Sequence, residues 1–575
     1  MKRYWKYIRP YIQYYILEPC FMMMEVVGDV LLPYMLAKII NQGIAEKNVA
    51  YIIKIGAIMG FIAVIMAVGG VLGAWFASKA AMNFGADLRM DLFEKIQQFS
   101  FQNIDNFSTG SLITRLTNDI TQIQNMIMMT LRMCLRSPGI LIGAMVMAFV
   151  ISPKLAAIFI IVLPVLAVLI VVIMRRAFPQ FRTLQEKLDA LNSCIQEGLV
   201  GIRLIKSFVR GDYEEMRFEK RNQQLKEANL TAMKTMLLYT PLMTLALNIT
   251  TVVVVWSGGN MIVAGNMQVG DLTAFTNYIV QIMSSLTMLS IAFLNWARAI
   301  ASFRRVGEVL DEKIDLTDEN AKHKDRAVCE GSVEFQNVSF RYYKNSPEWV
   351  IENISFKLEA GKTLGIIGST GSGKSTLVSM IPRLYDTDEG TVLVDGINVR
   401  DYGLKPLREG IGMVLQNNTL FSGSITENLK WGDEHADEKA VRTAAQNAQA
   451  AGFIDSFKDG YRTRLEQSGN NVSGGQKQRL CIARALLKCP KILILDDSTS
   501  AVDTATERAI REALHSEYKD MTKIIIAQRI RSVMDADEIL VLDNGKTAGF
   551  GTHEQLLADC PVYREIYDVQ NGREE

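Results

Sequence analysis

Upstream of about Arg304 the chain carries repeated runs of roughly 20 residues with almost no charge, and about 20 apolar residues are what a helix needs to cross a bilayer core of about 30 Å. Downstream of about Glu330 the character changes, and short Val/Ile/Leu stretches alternate with glycine turns and polar helices. Two solvents are therefore written into one chain of 575 residues, 49% of them hydrophobic, and a charged linker, Asp311 to Arg326, joins the two parts. The first part predicts an all-α membrane bundle and the second an α/β domain in water.

The predicted spans are 14–40, 52–78, 127–151, 155–174, 236–264 and 271–298. An even number of spans leaves both termini on one side. The loops at 41–50, 152–154 and 265–269 are short and hold only Lys47 and Lys154, whereas 79–126 and 175–235 are long and carry Lys79, Arg89, Lys95, Arg115, Arg175, Arg176, Arg182, Lys187 and more. The positive-inside bias places the long loops, both ends and the downstream domain in the cytoplasm, with the plasma (inner) membrane of a bacterium as the expected location. Lys2 and Arg3 with Trp5, Tyr7 and Tyr11 suit an amphipathic segment at the inner interface. They do not suit a signal peptide, because Glu18, Glu25 and Asp29 break the apolar stretch that follows.

Leu184 to Ile195 and Tyr213 to Leu230 are patterned as helix and are expected to continue the membrane helices beyond the lipid. Their turning points, near Asn103 to Gly110 and Lys206 to Asp212, are the expected contacts to the downstream domain. Within the spans, Glu25 and Asp29 lie one turn apart, as do Arg132 and Arg136. Two readings stay open: a water-filled cavity that contacts a ligand, or pairs that serve packing near the headgroups. Gly56 with Gly60 and Gly69 with Gly73 predict close helix contacts. The methionines, Met22 to Met24 and Met126 to Met129 among them, either line an adaptable cavity or face lipid and core. Seven cysteines without CxxC or Cys/His spacing predict buried, reduced thiols rather than a disulfide or zinc framework.

A net charge of +1 with no basic stripe argues against a nucleic-acid partner. The downstream domain instead holds a phosphate cradle: Gly368, Ser369, Thr370, Gly371, Ser372, Gly373, Lys374, Ser375 and Thr376 follow a buried strand, Thr363 to Ile367, and open a helix. Backbone N–H groups of such a loop face phosphates, Lys374 reaches the outer ones, and Ser375 is placed to hold Mg2+. A second apolar strand, Lys491 to Leu495, delivers Asp496 to the magnesium side, with Asp497 after it; Gln528 follows a third apolar run. ATP and Mg2+ are thus the expected cofactors. Between these motifs stand Val472, Ser473, Gly474, Gly475 and Gln476.

These motifs in this order resemble those of a half-transporter of the ATP-binding-cassette exporter family, over essentially the whole chain. Val472 to Gln476 resembles the family's signature sequence, with valine where leucine is usual. Gln416 matches the glutamine that joins the magnesium site to the membrane domain, Tyr342 the aromatic that stacks on adenine, and Ser500 to Asp503 the loop that communicates across a dimer. The resemblance implies a membrane domain over 1–310 with coupling loops near 103–110 and 206–212, a linker over 311–330, and a P-loop nucleotide-binding domain over 331–575. It further implies two such domains closing head to tail, so that each ATP lies between one chain's phosphate loop and the other's signature. Asp496 takes the magnesium role with Ser375 and Gln416, and Val472 to Gln476 with Asp503 complete the partner's site.

Two positions depart from the family pattern. Asp497 stands where a glutamate acts as general base, one methylene shorter, and Gln528 replaces a switch histidine that contacts the terminal phosphate. The four histidines offer no substitute: His553 lies in a Gly-Thr-His turn, and His323, His435 and His515 fall outside the motifs. Glu466 to Gly469 also differs from the Gly-Glu-Arg-Gly usual ahead of the signature. The resemblance then implies the heterodimeric multidrug-exporter type, this chain being the subunit with the degenerate site, its partner a second cassette half-transporter and its cargo amphipathic or hydrophobic compounds. The alternatives are a homodimeric slow lipid or drug exporter, and an ATP-gated regulatory or channel-like membrane protein. Peptide export with leader cleavage is disfavoured, since only about 13 residues precede the first span.

Overall fold

The structure, a computed structural model, describes residues 2–344, 346–498 and 501–570. It divides into two compact units, Met1–Gln97 with Gly110–Asp311, and Gln98–Thr109 with Glu312–Glu575.

The first unit is helical: α1 (Ile12–Lys38), α2 (Val49–Gln97), α3 (Ile120–Ile151), α4 (Pro153–Val200), α5 (Gly211–Leu237), α6 (Tyr239–Val263) and α7 (Val269–Asp311) are its long helices. Among the described residues five stretches are long and apolar enough to cross a membrane: Trp5–Ile44, Val49–Gln97, Thr109–Ile151, Pro153–Val200 and Gly211–Val263. The sixth predicted span lies within α7, part of whose side chains falls outside the described residues. At about 1.5 Å per residue, the 48 residues of α4 run about 70 Å, some 40 Å more than the hydrocarbon core needs. The predicted helical extensions, Leu184 to Ile195 and Tyr213 to Leu230, are accordingly continuous parts of α4 and α5.

Outward faces of these helices keep large apolar side chains exposed, such as Phe61, Val71, Ile160, Ile161 and Val165. Such a surface is costly in water and costs nothing against lipid tails. Inside, Phe159 of α4 stacks on Phe275 of α7 at 5.4 Å between ring centroids. The fully buried Tyr278 donates its hydroxyl to the Val30 carbonyl at 2.8 Å, satisfying the one polar atom it carries into the core.

The glycine pairs of α2 separate into two kinds. A Cβ at Gly69 would stand 3.0 Å from the Phe21 carbonyl oxygen and one at Gly73 3.7 Å from the Phe21 Cβ, so this pair lets α1 lie against α2. At Gly56 and Gly60 a Cβ would meet nothing within 4 Å, so the predicted contact there is not made within this chain. The charges also separate: Arg136 pairs with Glu25 at 2.8 Å and with Asp29 at 3.0 Å, whereas Arg132 is exposed. All seven cysteines are unpaired; Cys194, Cys481 and Cys560 are buried, but Cys20, Cys329 and Cys489 are exposed, contrary to the expectation that all are buried.

The second unit contains a four-stranded antiparallel sheet and a six-stranded mixed sheet. Its strands are β1 (Val333–Phe340), β2 (Ile351–Leu358), β3 (Thr363–Gly368), β4 (Glu389–Val394), β5 (Ile397–Asn398), β6 (Ile411–Val414), β7 (Gly423–Ser424), β8 (Arg464–Leu465), β9 (Ile492–Asp496), β10 (Thr522–Ile526), β11 (Glu538–Asp543) and β12 (Lys546–Gly551). The small sheet has the order β2-β1-β4-β5 and the large one β12-β11-β3-β10-β9-β6, with β7 and β8 a separate pair. In the large sheet β6, β9, β10, β3 and β11 are parallel and β12 closes the edge antiparallel. β9 is buried at every position, the continuous apolar run that a strand covered on both faces requires.

Residues 98–109, which fall between α2 and α3 in sequence, belong to this second unit. Ser100 caps the short helix Phe101–Asp105 in a reciprocal box with Asn103, and Asn103 Nδ2 donates to the Lys313 carbonyl at 2.9 Å. At the other end of the helix Tyr385 donates its hydroxyl to Asp105 at 2.9 Å, and its ring lies 6.0 Å from that of Phe101. The second predicted turning point, in the first unit, is the helix Ile202–Ser207 followed by a reversal at Val209, whose φ is 53°.

Candidate nucleotide site

The parallel register brings distant motifs to one edge. Ile526 of β10 is aligned with Ile366 of β3 on one side and Asp496 of β9 on the other, so the carboxyl ends of the three strands finish together. The phosphate loop leaves β3 there, Asp497 follows β9, Gln528 stands two residues past β10, and Gln416 two residues past β6. A cavity of about 220 Å³ results, lined by Thr370 to Thr376, Gln416, Asp496, Asp497 and Gln528, with Val350 and Ile526 as apolar walls.

The loop's shape depends on Gly371 and Gly373, at φ 86° and 88°, a left-handed conformation that side chains disfavour. A Cβ at Gly373 would also stand 2.7 Å from Ile351 Cγ2. Lys374 folds back over the loop and donates to the carbonyls of Gly368 at 2.9 Å and Ser369 at 2.7 Å, two residues of the predicted cradle that do not line the cavity. Burial pushes the Lys374 ammonium below its ordinary value. The Asp496 and Asp497 carboxyls oppose that shift, and an anionic ligand would oppose it further.

Ser375 donates its hydroxyl to Asp496 Oδ1 at 2.9 Å. Two hard oxygen donors thus share one spot at the cavity edge, which fits Mg2+, and Gln416 lines the same cavity. Burial raises the Asp496 carboxyl above its ordinary value, against the lowering effect of the Ser375 hydrogen bond. Asp497, at φ 47°, accepts from Gln528 Nε2 at 2.8 Å; burial raises its carboxyl too, opposed mainly by that bond. The two residues that depart from the family pattern are therefore in contact with each other.

Tyr342 is fixed beside the loop by its hydroxyl, 2.8 Å from Thr376 Oγ1, and by edge contacts to Phe340 and Tyr385. The signature residues and Asp503 do not line the cavity. Ser473 instead caps α8 (Gly474–Leu487) in a reciprocal box with Gln476, and Asp503 caps α9 (Thr504–Glu517), accepting from the Thr506 N–H at 3.0 Å. The two starts abut: a Cβ at Gly475 would stand 2.8 Å from the Ala501 carbonyl oxygen, and Gln478 accepts from the Ala501 N–H at 3.1 Å. Val472, partly buried, packs on the helical core behind the signature. Ser500, which the sequence assigns to the loop before Asp503, lies outside the described residues.

The ABC transporter transmembrane region family matches residues 16–286, and the ABC transporter family matches residues 351–500. Bacillus subtilis YfiB, an uncharacterized ABC transporter ATP-binding protein, is 39% identical over 574 residues, covering 100% of this chain and 99% of its own. The chain belongs to the ABC transporter family. This ABC transporter chain is also 33% identical, with 99% of each chain covered, to B. subtilis YgaD, named as a candidate multidrug export ATP-binding/permease protein. An ATP-bound bacterial Atm1-family ABC exporter has the same fold, with a TM-score of 0.81 at 24% identity over 98% of each chain. The chain is accordingly a membrane protein with an ATP-binding domain of the ATPase type.

Sequence motifs alone miss the cavity walls Val350 and Ile526 and the Tyr385–Asp105 bond. Val350 precedes β2 and reaches the loop in space, a Cβ at Gly373 standing 2.9 Å from its carbonyl oxygen; no motif flags it. His553 is engaged elsewhere, with Nδ1 2.7 Å from the Tyr563 hydroxyl.

Proposed function

We propose that this ABC transporter chain is one half of a heterodimeric ATP-driven exporter of amphipathic or hydrophobic compounds, with its own ATP site weakly hydrolytic. The observation that carries this reading is the Gln528–Asp497 hydrogen bond. A carboxylate one methylene short of a glutamate, with one oxygen held by an amide that cannot titrate, is a poor base for the attacking water. Lys374, Ser375 and Asp496 remain suited to holding ATP with Mg2+, which when bound offsets phosphate charge between Ser375, Gln416 and Asp496. Tyr342, held beside the loop through Thr376, is assigned to the adenine in this reading.

In this reading residues 1–310 form the membrane domain, 311–330 the linker and 331–575 the nucleotide-binding domain, with both termini and that domain cytoplasmic. Val472 to Gln476 and Asp503 cap the ATP held by the partner, whose site carries most turnover. Two ATP close the domains, and the coupling segments near 103–110 and 206–212 pass that closure to the membrane helices. The multidrug name of YgaD supports a drug-like cargo.

The test is ATPase activity of the chain purified alone and co-purified with a second cassette half-transporter from the same cell. Near-silence alone with strong turnover in the pair is expected; robust turnover alone would make the chain a homodimer.

Magnesium binding is expected to be pH-dependent in a direction set by Asp496. Its raised carboxyl contributes stability below the ordinary aspartate range that is lost as pH rises through the raised value, and the metal needs the ionised form. Mg2+ with ATP should therefore raise the melting temperature more at pH 7.5 than at pH 5, beyond the change seen with ATP and a chelator. Equal increments at both pH values would remove Asp496 from the metal site.

A further inference from the structure

The first unit contains a pocket of about 220 Å³ whose wall is mostly methionine, Met22 of α1, Met129 of α3 and Met288 of α7 among them, and whose polar groups are Arg132 and Arg136 of α3. The two arginines differ. Arg136 is ion-paired with both Glu25 and Asp29, at 2.8 and 3.0 Å. Arg132 is exposed and makes no ion pair or hydrogen bond among the described residues. The third carboxylate of this region, Glu18, is fully buried, and neither of its oxygens has a partner among the described residues. It does not line the pocket, and although it lies within reach of the Arg132 charge no hydrogen bond or ion pair joins the two, so within the pocket Arg132 faces an apolar space without a counter-ion in contact.

Intramembrane cations are expensive and are normally paired. An arginine fork binds carboxylate, sulfonate or phosphate oxygens in two parallel hydrogen bonds, and methionines adapt to apolar bodies of varied shape. We infer that the pocket takes an amphipathic organic anion, with Arg132 as the counter-ion of its acidic head and the methionine wall receiving its apolar part. The inference rests on the exporter reading above and narrows its cargo.

The probe pair is dodecanoate carrying a nitrobenzoxadiazole fluorophore, and the methyl ester of the same compound. Binding is read as fluorescence enhancement on the complete detergent-solubilised transporter without ATP, so that it does not depend on turnover. The anion should bind the unaltered protein in preference to the ester. Arg132→Gln should weaken the anion at least about tenfold and leave the ester within twofold, as loss of charge-assisted hydrogen bonds requires, and Arg132→Lys should recover part of the loss. Competition by short-chain phosphatidylglycerol but not phosphatidylcholine would identify the occupant as a lipid; absence of competition would identify a free carboxylate. Equal loss of anion and ester, or no preference for the anion in the unaltered protein, would overturn the inference. Anion-selective binding that survives while ATP drives no transport of any probe would leave the pocket standing and remove the exporter reading.

Discussion

Asp497→Glu combined with Gln528→His is expected to raise ATP turnover at this chain's own site by about 100-fold. A base displaced by about 1 Å loses on the order of a hundredfold in rate, and a well-placed general base contributes about 10²–10⁴. Asp497 is short by one methylene, while Gln528 Nε2 occupies one of its oxygens at 2.8 Å. That contact makes the two changes non-additive. Asp497→Glu alone leaves the amide in place, and Gln528→His alone leaves the carboxylate short; each should gain less than about tenfold, since each retains one of the two defects. The measurement is phosphate release by the heteromeric pair with the partner-owned site silenced by the substitution described next. A double variant no faster than the unaltered chain would show that Asp497 and Gln528 do not limit this site.

The second large effect is a loss. Gly474→Asp in this chain should reduce turnover of the pair by about 100-fold or more, the scale seen when preorganised groups around a transition state are removed. Gly474 suits this test because a Cβ there would meet nothing nearer than the Ala501 Cβ, at 3.8 Å, so the fold can accept it. At Gly475 the Ala501 carbonyl at 2.8 Å forbids the same experiment, since any loss there would mix function with misfolding. A carboxylate at 474 stands at the start of α8 beside Ser473, on the face proposed to meet the partner's ATP, and repels its phosphates. The melting temperature should shift by less than about 2 °C, because Asp at the first turn of a helix is well tolerated. Turnover retained within threefold would mean that this signature does not complete a hydrolytic site.

The elements read from sequence share one property: each is specified by residues near one another in the chain. The spans are long apolar runs, α4 and α5 are sustained helical patterns, and β3 with its loop and β9 with Asp496 are strands whose ends carry their own polar group. The exposed cysteines and the open surface at Gly56 and Gly60 escaped such reading because burial depends on which helix lies opposite.

From the sequence alone one could therefore establish that a membrane bundle precedes a phosphate-binding α/β domain, and which residues carry its motifs. Hydropathy and turn chemistry act over a few residues, so local order is enough to express them. Only the tertiary structure decided that Asp497 and Gln528 touch, that Asn103 and Asp105 join the second unit through Lys313 and Tyr385, and that Arg136 is paired where Arg132 is not. Those outcomes depend on parallel strand register and on the rotation of one helix against another, which bring together residues from 31 to 280 positions apart.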